Sequence, residues 1–419
     1  MLLRVPSLNS SKLMGGSAIN YVLVGKSVVI ARKIHQVSPQ SNLLIVDEQS
    51  NLSEISMPAE IQAAHYVEIA YQNEPQIDQL VAQLNGRSVD AIIPVFERTV
   101  TLANQLAAAM QRPRIGDLGA KLFRNKLALR SFCQDLPINQ PAYQQVTSIE
   151  QLQTFFKAHG AMILKPTMLA GSLGVVKITD EAQLASEFAF CQQIAEDADE
   201  PVALMAEEMI TGAEYSCEYV VQSGHVIFQN LTKKFKFHND FFVESGHLVP
   251  AIVNGQLRQA IYQMMDCLVN AAEIDTAVLH AEWLVTADNQ PYLVECAGRR
   301  PGDRIVDLIT AAYGDDFLWK YCQLLAGQSV SFNATTRNFA SQTYFDAQPG
   351  VVVNIEHEAA LDPYPHQLAV SVGDSVPVFS DSEKRLGYVI ISDSDFFRLE
   401  DLRHELLATF KIVTEKKAD

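Results

Sequence analysis

Apolar positions in the first hundred residues fall into short runs separated by stretches with helical spacing. Residues 21–24 form one run, closed by Gly25. Residues 43–46 form a second, closed by Asp47 and Glu48, and 91–96 a third, closed by Glu97. Residues 27–36 and 99–110 carry the spacing and alanine content of helices. Strands alternating with helices predict a doubly wound parallel sheet. Ligands on such sheets bind beyond the carboxyl ends of the strands, where Glu97 stands. From about residue 116 the pattern changes. A helix is predicted over 121–132, then strands over 161–165 and 175–178 joined by a glycine- and serine-rich loop, the signature of a hairpin. Residues 206–330 mix strands (215–221, 225–230, 278–285, 291–295) with helices (257–272, 303–325). The tail has short strands at 368–372 and 387–391 and a last helix over 399–410, with 328–336 reading as a linker. These changes divide the chain into four parts: 1–115, 116–205, 206–330 and 331–419.

Composition narrows the partners. The chain has 419 residues, of which 48% are hydrophobic and 19% charged, a balance that supports a large buried core. A net charge of -17 repels duplex nucleic acid, so no nucleic-acid partner is expected. The basic cluster Lys233, Lys234 and Lys236 reads as a solvated strand edge. No apolar run reaches the length of a membrane span, and the N-terminus shows no secretory leader, so no membrane partner is expected. Six cysteines are scattered with no Cys-x-x-Cys pair, which indicates neither zinc nor a disulfide framework and fits a reducing cytoplasm. Gly25, Lys26 and Ser27 look like the end of a phosphate-binding P-loop, but the pattern needs a glycine where Asn20 stands.

Three segments carry chemistry. Lys165 ends a strand and is followed by a loop with Gly171, Ser172 and Gly174. Glycines let a backbone approach phosphate closely, and a lysine adds a mobile positive charge. Taken alone, this segment is better explained by an ordinary glycine-rich hairpin. Glu207, Glu208, Met209 and Ile210, then Gly212 and Glu214, lie between two strands. They read either as a solvated acidic loop or as a hinge whose backbone meets an adenine edge while Glu214 accepts from ribose hydroxyls. His280 and Glu282 share one face of a strand, and Glu295 can lie opposite on the next, with Arg299 four residues on. Two carboxylates on otherwise apolar strands repel each other unless a cation lies between them, and Mg²⁺ takes oxygen ligands.

The order and spacing of Lys126, Lys165 with its glycine loop, the 207–214 hinge, Glu282, Glu295 and Arg299 resemble the ATP-grasp superfamily. Within it, they resemble the L-amino-acid ligases that form dipeptides. The resemblance covers most of the chain. It implies an α/β and α+β multidomain fold: an N-terminal doubly wound parallel sheet, a two-lobed ATP-grasp fold and a small C-terminal extension. It implies that Lys126 and Lys165 contact phosphates, that Gly171, Ser172 and Gly174 belong to the loop closing over them, and that Glu207, Glu208, Met209 and Ile210 hold adenine and Glu214 the ribose. Glu282 and Glu295 resemble the Mg²⁺ ligands, for two ions with Mn²⁺ as a substitute. Arg299 looks like the arginine that stabilises charge on the transferred phosphoryl group. Residues 242–250 resemble a substrate segment in which Glu244 and His247 face the amino-acid pocket, and Glu97 an acid that holds a substrate amino group. Asp303 stands where a side chain limits substrate size, and an acid there would favour a cationic or amino group. Two positions depart from the family pattern: Ala297 replaces a common asparagine ligand, and Asn125 the usual aspartate.

The implied activity is ATP-dependent joining of a carboxylate to an amine through an acyl phosphate, with small-molecule substrates and, as in many proteins of this kind, a homodimer. Alternatives are another ATP-grasp chemistry, of the purine-pathway or carboxylating type, and a nucleotide-binding protein without catalysis.

Overall fold

The computed structural model describes residues 18–54, 56–58, 61, 65–69, 77–84, 87–198, 202–237, 243–378 and 384–416. The N-terminal segment read for a leader and Phe242 of the substrate segment lie outside the described residues.

The three apolar runs of the first hundred residues pair into a parallel sheet with a fourth strand that the pattern did not predict, in the order His65–Glu68, Asn42–Asp47, Asn20–Val24, Ala91–Pro94. Leu23, Ile45 and Ile93 are buried on one face and Val22, Leu44 and Ile92 on the other, as two-sided coverage requires. The glycine loop connects Met162–Pro166 to Val176–Ile178, an antiparallel pair with Met162 opposite Ile178. They belong to a four-stranded sheet whose other members are Tyr143–Val146 and Leu204–Glu208. An eight-stranded antiparallel sheet forms the centre. Its order is Pro291–Ala297, Ala277–Val285, Ala213–Gln222, His225–Lys236, Glu244–Val249, Phe339–Tyr344, Gly387–Asp393, His366–Leu368. Three of its strands therefore come from the tail. A separate small sheet joins Ser375–Val376, Gly350–Glu356 and Lys411–Glu415.

Two expected helices are each broken in two. The one expected over 121–132 is Asp117–Leu122 and Lys126–Cys133. Asn125 accepts from the backbone N–H groups of Leu127 and Ala128, and this cap starts a new helix with Lys126 at its first position. The one expected over 303–325 is Ile305–Tyr313 and Phe317–Leu325. Gly314 ends the first in a left-handed conformation and the Asp316 carboxylate caps the second. Continuous apolar periodicity concealed both breaks. The strand expected over 368–372 is His366–Leu368 only.

Candidate active site

One cavity of about 550 Å³ lies between the four-stranded and eight-stranded sheets and reaches Glu97 on the N-terminal unit. At one end, Lys165 ends its strand almost fully buried, with Nζ 2.6 Å from Glu207 Oε2. The other oxygen of Glu207 accepts from Arg130 Nε at 2.7 Å, and Arg130 also donates to the Val294 carbonyl at 2.6 Å. Burial pushes the Glu207 carboxyl up, but Arg130 and Lys165 more than offset it and hold it below the usual carboxylate range. Lys126 donates to the Leu169 carbonyl at 2.7 Å and stands 3.1 Å from Glu295, while Arg124 donates to the Met168 carbonyl. The root of the glycine loop is thus tied to two cations. Gly171, Ser172 and Gly174 all have left-handed backbones. Gly171 and Ser172 line the cavity, and Gly174 lies at the loop's base against Pro166 and Ile194.

In the middle, Glu282 stands directly opposite Glu295 on paired strands, as the alternation of their strands implies. Lys234 was read from the sequence as a solvated edge; the structure corrects this. Strand alternation turns Lys234 inward while Phe235 stays exposed, because successive side chains of a strand point to opposite faces. Lys234 Nζ lies 2.6 Å from Glu282, 2.9 Å from Glu244 and 3.2 Å from Glu214. The ligand atoms of those three acids lie within 4.8 Å of one another, a group with metal-site geometry that an ammonium fills. Beneath Glu282, His280 contacts Glu218, which is fully buried with Ser216, Asn230 and Thr232 around it. Burial works against the His280 cation, yet Glu218 and Glu282 push its pKa up to about 9.

Near Lys126 and Glu295, Glu97 opens a short 3₁₀ turn just after Ala91–Pro94, and its carboxylate lies 2.9 Å from Arg299 Nε. Burial raises Glu97 above the usual carboxylate range despite Arg299. Glu244, beside Lys234, and Asp303 line the cavity too, bridged from behind the lining by Arg385 of the tail. His247 is brought near but not into the lining. It is fully buried opposite Gln342, with Nδ1 3.3 Å from the Gln342 side-chain oxygen, and burial lowers its pKa, so the imidazole is neutral. Glu208, Met209, Ile210, Glu214 and Ala297 also line the cavity.

Sequence reasoning missed Arg124, Arg130, Lys234 and Arg385. Only Lys234 had a usable signal, its inward phase on a strand continuing past residue 230. The six cysteines are free, and burial raises the thiols of Cys133, Cys191, Cys217, Cys296 and Cys322, so none of these five is a ready nucleophile. Among the described residues, no helix is long and apolar enough to cross a membrane.

Residues 159–307 match the ATP-grasp domain family. The chain is 23% identical over 291 residues to alanine–anticapsin ligase of Bacillus subtilis (strain 168), covering 64% of this chain and 61% of that protein. The match thus spans about six-tenths of that relative's length. An L-amino acid ligase structure from Bacillus licheniformis superposes with a TM-score of 0.78 at 18% identity, over 95% of this chain and 99% of that one. Phosphoribosylglycinamide synthetase from Anaerococcus prevotii superposes with a TM-score of 0.70 at 13% identity, over 95% of this chain and 100% of that one. Residues 159–307 are therefore an ATP-grasp domain, set in a chain that has the mixed α/β fold of the ATP-grasp ligases.

Proposed function

We propose that the chain is an ATP-dependent carboxylate–amine ligase that joins amino-acid substrates through an acyl phosphate, releasing ADP and phosphate. The observation that carries this reading is the set of groups that line one cavity: Lys126, Lys165 and a glycine loop, Glu282 facing Glu295, and Arg299 paired with Glu97. In this reading Glu208, Met209 and Ile210 hold adenine and Glu214 the ribose. The Glu207 side chain fixes Lys165, because both its oxygens are engaged, and Glu207 joins these hinge residues at the base through its backbone.

Glu282 and Glu295 fit a hard cation: two facing carboxylates on apolar strands are an oxygen donor set without sulfur or a free imidazole. Mg²⁺ held there, as two ions or with Mn²⁺ in its place, would neutralise charge on the phosphoryl oxygens. A substrate carboxylate oxygen attacks the γ-phosphorus, the bond to the bridging oxygen breaks, and ADP leaves. Lys165 and Arg299 meet the charge that develops on the phosphoryl oxygens. The amine then attacks the acyl carbon, phosphate departs with the bonding pair, and the proton that the amine loses passes to the departing phosphate. Glu97 and Arg299 orient the substrate ends, and the glycine loop excludes water from the anhydride. His247 acts from behind the wall as a neutral imidazole, near Glu244 on the same strand. The substrates are small molecules met in the cytoplasm.

The test is to incubate protein, Mg²⁺ and ATP with pooled amino acids and small carboxylates, following phosphate and product mass. Two-substrate phosphate release, with a product equal to the sum of the substrates minus water, is expected. Glu295→Gln should lose ADP formation while keeping its circular dichroism spectrum. Unchanged turnover in that variant would refute the metal assignment, and ATP binding without turnover in any pool would refute the ligase.

A further inference from the structure

The tail places one cation behind the part of the cavity wall that Glu244 and Asp303 form. Arg385 precedes Gly387–Asp393 and is almost fully buried. One terminal nitrogen donates to Glu244 at 2.6 Å and the other to Asp303 Oδ1 at 2.7 Å. Its guanidinium lies 3.9 Å from the Tyr344 ring centroid, and the Tyr344 hydroxyl donates to the same Asp303 oxygen at 3.2 Å. The remaining oxygen of Glu244 is 2.9 Å from Lys234. Both oxygens of Glu244 and one of Asp303 are therefore engaged by fixed donors before any substrate arrives. Only an arginine suits this place, because its planar fork can serve two carboxylates while its face stacks on a ring.

The same tail strand steadies the backbone that presents Asp303. Asp303 and Arg304 are consecutive non-glycine residues with left-handed φ of 48° and 61°. Such strain persists only where surroundings hold it. Here Arg385 grips Asp303, and Arg304 lies 4.8 Å over the ring of Tyr388, three residues after Arg385.

We infer that Arg385 is a specificity-determining residue: by neutralising Asp303 and Glu244 from behind, it makes the wall they form discriminate against substrates with positively charged side chains. Bare carboxylates at that wall would attract an ammonium. Paired with Arg385 behind the wall and, for Glu244, with Lys234 within it, they are already engaged, so an entering ammonium would give up its water for weakened partners. Neutral or carboxylate-bearing side chains meet no such opposition. This inference rests on the amino-acid ligase reading and reverses the cationic preference that Asp303 alone suggests.

The test uses the full chain with Mg²⁺ and a non-hydrolysable ATP analogue. Binding of L-lysine, L-norleucine and L-glutamate is measured by calorimetry. The wild type should bind norleucine and glutamate about tenfold or more tightly than lysine. Arg385→Met should shift the lysine-to-norleucine affinity ratio about tenfold toward lysine, with analogue affinity unmoved. Asp303→Asn should shift the glutamate-to-norleucine ratio toward glutamate, which keeps the inference testable if Arg385→Met does not fold. A purely structural arginine would weaken all three ligands alike. Such a uniform loss, ratios unmoved in both variants, a wild type that favours lysine, or no binding of any of the three would each overturn the inference. ADP release with the same series is scored separately: selective binding without ADP release refutes the ligase reading and leaves the selectivity standing.

Discussion

Lys165 shows how a residue's environment sets its use. A lysine ammonium buried without a partner is costly, and Glu207 and Arg130 form the three-membered charged group that keeps it in place. Glu207→Gln removes the anion and leaves two cations together, which should cost about 3–5 kcal/mol of stability at neutral pH. The pH dependence has a definite sign. The folded-state pKa of Glu207 is depressed, so its contribution is present above the ordinary carboxylate value of 4.5 and is lost as pH falls through the folded value. Denaturant titrations should show the wild-type advantage over Glu207→Gln shrinking below about pH 4.5. A constant difference from pH 7 to pH 3 would mean that the carboxylate charge is not what stabilises the site. The residue types at 165 and 207 were readable as functional from the sequence. Their mutual pairing was not, because it depends on the register that sets Glu207 beside Ile163 and Lys165 beside Met205.

Among elements, the glycine loop separates two reasons for a glycine. Gly171 and Gly174 have similar φ, 67° and 72°. A Cβ at Gly171 would meet nothing within 4 Å, whereas one at Gly174 would come within 2.9 Å of Pro166 and 3.0 Å of Ile194. Gly171→Ala should therefore cost about 1 kcal/mol, the backbone penalty alone. Gly174→Ala should cost more, because a side chain meets packed neighbours as well. Thermal melts of the two variants decide this, and equal losses would show that the loop's base yields freely. The hairpin itself was legible from its apolar runs and glycines. The break between Leu122 and Lys126 was not, since Asn125 signals a cap only once the chain is seen to turn there.

At the scale of the whole molecule, the tail is part of the central sheet. Phe339–Tyr344 pairs with Glu244–Val249, placing Gln342 opposite His247 and Ala340 opposite Val249. A chain ending at residue 330 would expose that strand edge together with the buried Leu248 and Val249, and would lose Arg385. It should be insoluble or rapidly digested in limited proteolysis. A soluble, protease-resistant 1–330 fragment would show that the tail is dispensable for folding.

Local chemistry was decided by the sequence: strand and helix periods, the lysine-and-glycine loop, the two carboxylates on apolar strands and the acid at the end of the third N-terminal strand. Each follows from neighbours within a few residues, where spacing alone sets which side chains share a face. Only the tertiary structure decided which charges meet. Lys234 lies among Glu214, Glu244 and Glu282, and Arg385 closes on residues 82 and 141 positions away. Such pairings arise from strand order and register across the eight-stranded sheet, and no spacing along the chain encodes them.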